Sequence, residues 1–216
     1  MPDLVTSPPR ELPWIEAPAV GFDPPAGAAA FPFGQAWRSP PEPAFQPATA
    51  WLAATPDAFH VWATLSDAHP RTNARENHAR LWDLGDVFEI FLQRIGDEAY
   101  HEFHVAPNGR LLQLRFPRGD WPRTGDIAPY IRRDALIDAH VQLNPTAGTW
   151  HVRAAIPFRA LTSDPARGSS WRVCFARYDY DDAGVPCCSA SAPLTQLDFH
   201  RRHEWTTISL PPPDPC

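Results

Sequence analysis

The chain has 216 residues, with 19 basic and 25 acidic side chains and a formal charge of −6. That length fits one all-β domain, the acid excess argues against a nucleic-acid partner, and no run of eighteen apolar residues is present to span a membrane. Every basic side chain is arginine, and the 27 prolines work against long helices and for loops and sheet edges.

Residues 1–43 are rich in Pro, Ala and Gly without a lasting helical or strand period, so an irregular N-terminal arm is expected, packed through Trp14, Phe22, Phe31, Phe33 and Trp37. The chain opens without a charged-then-apolar leader pattern, so a cytoplasmic protein is expected unless a leader was removed. A β-sandwich domain is expected over 44–210 and a Pro-rich tail over 211–216. It begins with strands at Ala48–Ala54 and Phe59–Ser66, joined around Thr55-Pro56-Asp57. In the second, Phe59, Val61, Ala63 and Leu65 alternate toward a core. Residues 67–80 are polar and hold His69, His78 and several Arg.

The stretch from Leu81 to Gly109 is the most informative. Strands are expected at about Asp86–Leu92 and Tyr100–Val105, with turn residues Ile95-Gly96-Asp97-Glu98 between them. Both are dense in Val, Ile, Phe and Tyr, as a buried pleated surface prefers. Each nevertheless carries a carboxylate, Glu89 and Glu102. Burying even a neutral polar group without a partner costs on the order of 2–7 kcal/mol. These two must point to water, pair with a cation such as Arg110, Arg115 or Arg177, or line a polar site. Further strands are expected at Leu111–Phe116, Leu136–Leu143, Trp150–Ile156, Trp171–Tyr180 and Thr206–Leu210, with one helical turn at Pro157–Leu161 and long loops over 117–129 and 181–197. Strands at this spacing imply two packed antiparallel sheets. Cys174, Cys187, Cys188 and Cys216 form no legible disulfide framework, so free thiols are expected.

Trp82, Asp86-Val87-Phe88-Glu89-Ile90-Phe91, Tyr100-His101-Glu102-Phe103-His104-Val105 and Pro107-Asn108-Gly109 together resemble the central hairpin of family 9 carbohydrate-binding modules and the wider DOMON-like sandwiches. Trp150 to Phe158 resembles a later W-x-x-E-x-x-I-P-F strand of that family, with Arg153 where Glu is usual. Gly168 to Arg177 and Phe199 to Leu210 resemble its last two strands. The resemblance implies an all-β, Ig-like or jelly-roll-like sandwich that binds saccharide or glycan without catalysis and acts as a monomer. Trp82 then corresponds to an aromatic platform, Glu89 and Glu102 to hydroxyl acceptors, and Arg110 to a bidentate donor. The family's second tryptophan, in the loop before the last strand, is missing here, and Phe199 or Trp205 stand as substitutes. Structural calcium also occurs in the family, with Asp179, Asp181 and Asp182 as hard-oxygen candidates. No other cofactor is expected.

Three other chemistries would each need residues in a particular arrangement. Zinc is disfavoured because His101 and His104 fall on opposite faces of a strand. Haem, bound by some DOMON-like domains, would need two histidines as axial ligands. Glu89 and Glu102, on adjacent strands, could approach within the ~5–10 Å used by glycosidase carboxylate pairs.

Overall fold

The computed structural model describes residues 9–16, 21–119, 121–122, 125–134, 137–163 and 168–212. Cys216 and residues 213–216 of the expected tail lie outside them, as does Leu136. The strands in chain order are β1 (Arg10–Glu11), β2 (Ala29–Pro32), β3 (Ala48–Thr55), β4 (Ala58–Ser66), β5 (Val87–Arg94) and β6 (Tyr100–Val105). They continue with β7 (Leu111–Phe116), β8 (Asp138–Asn144), β9 (Thr149–Pro157), β10 (Ser170–Tyr180), β11 (Pro186–Ala190) and β12 (Thr206–Ser209). The helix α1 (Phe158–Leu161) is a single turn. Among the described residues no helix is long and apolar enough to cross a membrane.

The strands form an all-β sandwich of two sheets. One runs β1-β12-β10-β5-β6-β7, with β11 also paired to β10, and the other runs β2-β3-β4-β9-β8. All pairings are antiparallel except β1 with β12. The arm therefore contributes a strand to each sheet, and β11 lies within the stretch expected as a long loop. Strand β10 is long enough to pair with β12 over Ser170–Val173 and with β11 over Ala176–Tyr180.

Two apolar layers result. Between the sheets, Phe59, Val61 and Leu65 of β4 meet Phe88, Ile90 and Leu92 of β5, Phe103 of β6 and Phe175 of β10. The outer face of the larger sheet carries a second layer, including Phe91, Tyr100, Leu112, Leu114, Phe116 and Cys174, which loops cover with Leu81, Ile127, Phe199 and Trp205. Strand β6 is buried along its whole length for this reason. A sheet covered on both faces has no solvent side to receive its polar residues. Glu102 and His104 are therefore enclosed.

Candidate functional site

Alternate residues of a strand point to opposite faces. On β5 and β6 this sends Phe88, Ile90 and Phe103 inward and Glu89, Phe91, Tyr100, Glu102 and His104 outward. Register then decides the pairing. Glu89 lies opposite His104, and Phe91 opposite Glu102. His104 Nδ1 is 2.9 Å from Glu89 Oε1, a contact off the hydrogen-bond line, while Nε2 is hydrogen-bonded to Glu102 Oε2 at 3.1 Å. One imidazole thus spans both carboxylates. Beyond them His200 Nδ1 sits 3.2 Å from Glu102 Oε1 and 3.1 Å from the Tyr100 hydroxyl. Glu89, Glu102 and His104 are at most 2% exposed.

Electrostatics keep this chain charged. Burial opposes a charge on His104, but Glu89 and Glu102 outweigh it and push the imidazole pKa up to about 9. Burial likewise opposes ionisation of Glu102, yet His200 and His104 pull its pKa down to about 2. For His200, burial is again outweighed, chiefly by Glu102, and the pKa rises. Burial and the neighbouring Glu102 carboxylate raise the Tyr100 phenol, which stays protonated. Fully buried charges survive only when so paired.

Loops roof the chain with aromatics. Trp82 stands on the short turn Leu81–Asp83, anchored by buried Leu81. The Tyr180 hydroxyl donates to its carbonyl, and the Arg80 guanidinium lies 5.2 Å over its ring. Gly85 secures this turn: at φ +136° its α-carbon faces the Arg71 carbonyl so closely that a β-carbon would collide. Trp121, from the loop after β7, meets Trp82 at 5.9 Å between centroids and stacks on His200 at 4.2 Å. The His200 loop is held by Asp198, which accepts from the His200 backbone N–H, and by Trp205, whose indole donates to Phe199 O at 2.7 Å. Trp82, Glu89, Phe91, Glu102, His104, Trp121, Tyr178, Phe199 and His200 enclose a cavity of about 50 Å³. That holds a few waters, not a sugar ring. Glu102 lines it, with its buried Oε1 3.2 Å from His200 Nδ1.

Of the residues singled out from sequence, Trp82, Glu89 and Glu102 come together. Their cationic partners are histidines, not the expected arginines. Arg110 is exposed in the turn after β6, where its N–H donates to Asn108, and does not line the cavity. Trp205 is buried beneath the site against Phe91 and Tyr100. The second roofing tryptophan is Trp121, which sequence reasoning passed over. Its only signal was an aromatic in a Gly/Pro-rich loop. The signal for His104 was stronger, since its parity on β6 matches Glu102.

The calcium candidates are separated. Asp179 converges with Asp67 and Asp86, their oxygens within 4.8 Å of one another. Asp181 instead accepts from the Ala183 and Val185 N–H groups of its own turn, and exposed Asp182 pairs with Arg71 at 3.0 Å. Fully buried Arg177 lies beside the triad, 2.8 Å from Asp179 and 3.3 Å from Asp67, and also donates to Ser66 O. Asp86 already accepts backbone N–H bonds from Arg71 and Tyr180. The Arg177 guanidinium thus supplies a fixed cation to two of the three carboxylates. Burial pushes the pKa of Asp179 up to about 7 and that of Asp86 to about 6, with Arg177 holding Asp179 back and the two N–H bonds restraining Asp86.

No family model matches the chain, and no curated protein does. Solved structures do. A Bacteroides uniformis protein provisionally described as carbohydrate-binding is 19% identical at a TM-score of 0.69, covering 85% of this chain and 87% of that one. A family 9 carbohydrate-binding module from Caldicellulosiruptor kristjanssonii, solved with cellotriose, is 15% identical at a TM-score of 0.63 over 94% of each chain. A family 9 module from the same organism, solved with glucose, gives 0.61 at 15% identity, over 94% and 96% of the two chains. These likenesses establish the family 9-like sandwich fold.

Proposed function

We propose that this protein binds saccharide on the outer face of its larger sheet, with Trp82 and Trp121 as the aromatic surface and Glu89 and Glu102 as hydroxyl acceptors. The observation that carries the proposal is the pair of buried carboxylates, Glu89 and Glu102, lining a cavity roofed by two tryptophans. A sugar hydroxyl donating into the cavity gives a buried carboxylate a further hydrogen bond, worth about 1.5–3 kcal/mol for a charged acceptor. The cavity accepts one or two hydroxyls, while the ring itself stacks its C–H face on the indoles outside. Saccharides bound to modules of the same fold support this reading. The neighbouring imidazoles keep Glu102 ionised, hence an acceptor only.

Tryptophan fluorescence titration against mono- and oligosaccharides tests the proposal, run on the native chain and on Trp82→Ala and Trp121→Ala. A saturable change in the native protein that either variant weakens, with circular dichroism unaltered, supports it. A flat response across the panel from the native protein sinks it.

A further inference from the structure

Beside the roofed cavity, and sharing Trp121 and His200 with it, lies an open cleft of about 290 Å³. Its remaining lining is Gly119, Arg172, Arg202 and His203. Among the described residues no carboxylate lines it, in a chain whose net charge is −6. Arg172 points outward from β10 and donates to the neutral Gln93 amide oxygen at 3.3 Å. Arg202 donates to the Glu98 carbonyl at 3.3 Å and lies 5.5 Å over the Tyr100 ring. A β-carbon at residue 119 would collide with the Arg202 guanidinium, so glycine lets the loop backbone pack directly against it. Each guanidinium has five N–H donors, and neither meets a carboxylate among the described residues.

We infer that the saccharide end bound here carries an oxyanion, a uronate carboxylate or a sulfate ester, and that Arg172 and Arg202 receive it. This deepens the saccharide reading and rests on it. Two like-charged guanidiniums facing one cleft gain most from a shared anion, and the planar guanidinium fork matches a carboxylate's two oxygens. The cleft adjoins the indole of Trp121, so a ring seated on that indole places a ring substituent within the arginines' surroundings. A neutral sugar would leave their donors to water.

The test is isothermal titration of the native protein with glucuronate, glucose 6-sulfate, glucose and methyl glucuronate, the last removing the charge while keeping the ring. The expected result is tighter binding of a charged sugar by on the order of tenfold over the neutral pair. Arg172→Gln and Arg202→Gln should each shrink that gap while leaving glucose binding unchanged. Which charged sugar binds identifies the oxyanion. Added salt should weaken the charged ligand selectively, a readout on the native chain that survives if a variant fails to fold. Equal binding of charged and neutral sugars overturns the inference and leaves the saccharide reading standing. Absence of binding by all four overturns the inference. With a flat response from the wider neutral panel as well, the saccharide reading falls too.

Discussion

The larger sheet buries charge on both faces, by two different means. On the inner side Arg177 closes one end of the sandwich, holding Asp67, Asp179 and the Ser66 carbonyl. On the outer side His104 and His200 alternate with Glu89 and Glu102 beneath two tryptophans. A guanidinium never loses its proton, so the inner cluster has a fixed cation and serves to join the sheets. An imidazole can lose its proton, so the outer cluster holds its charge only while its neighbours hold theirs. The cluster built from titratable cations is also the one roofed by two tryptophans. A ligand's hydroxyls would meet charges set by mutual pairing.

The sharpest way to separate the two is to remove each cation. Arg177→Leu should cost about 3–5 kcal/mol, the usual cost of leaving buried carboxylates without their partner. That loss should be smaller at pH 5 than at pH 8, because the stranded aspartates can then protonate. Urea unfolding at both pH values checks it, and an equal loss at each would mean that the cluster does not titrate as described. His104→Gln should cost less, about 2 kcal/mol, because the amide keeps one donor to a carboxylate but supplies no charge. Its saccharide affinity should fall as well, since Glu89 and Glu102 lose the group that positions them, whereas Arg177→Leu should leave affinity unchanged under conditions where it folds.

The pH dependence of the native protein sharpens the contrast further. His104 titrates near 9 when folded and near 6.5 when unfolded, so its contribution is complete below about 6.5 and lost as pH rises through 9. Glu102 runs the other way: lowered to about 2 from 4.5, its contribution is complete above 4.5 and lost as pH falls toward 2. Asp179 and Asp86, raised to about 7 and 6, subtract stability as pH rises through those values. Because the two aspartates begin to subtract stability above their unfolded value of 3.8, the thermal midpoint should peak at about pH 4 and decline on both sides. In His104→Gln the alkaline decline near 9 should flatten. Calorimetry across pH 3–10 reads both. The smallest effect is expected from Arg110→Ala, within about 0.5 kcal/mol in stability, because the side chain is exposed in a turn and lies outside the cavity lining. A tenfold loss of saccharide affinity in that variant would return Arg110 to the site.

Much of the sandwich was legible because strand periodicity is a local property. The Tyr100–Val105 strand was read to the residue, and Phe59, Val61, Ala63 and Leu65 do face the core. Strands lacking that signature escaped. Ala29–Pro32 has too few β-branched residues to register, and Pro186–Ala190 is strand only because β10 runs past the end of β12 and leaves an edge to fill.

The sequence by itself determined which residues share a face: the period of two places Glu89 with Phe91, and Tyr100 with Glu102 and His104. Only the tertiary structure decided what those side chains meet. Register set His104 between the two carboxylates, and loop closure delivered Trp121 and His200 from positions 79 residues apart in sequence. Side-chain alternation is written residue by residue. Which loops converge over a sheet depends on how the whole chain packs, because each loop settles where it best excludes water from the face beneath it.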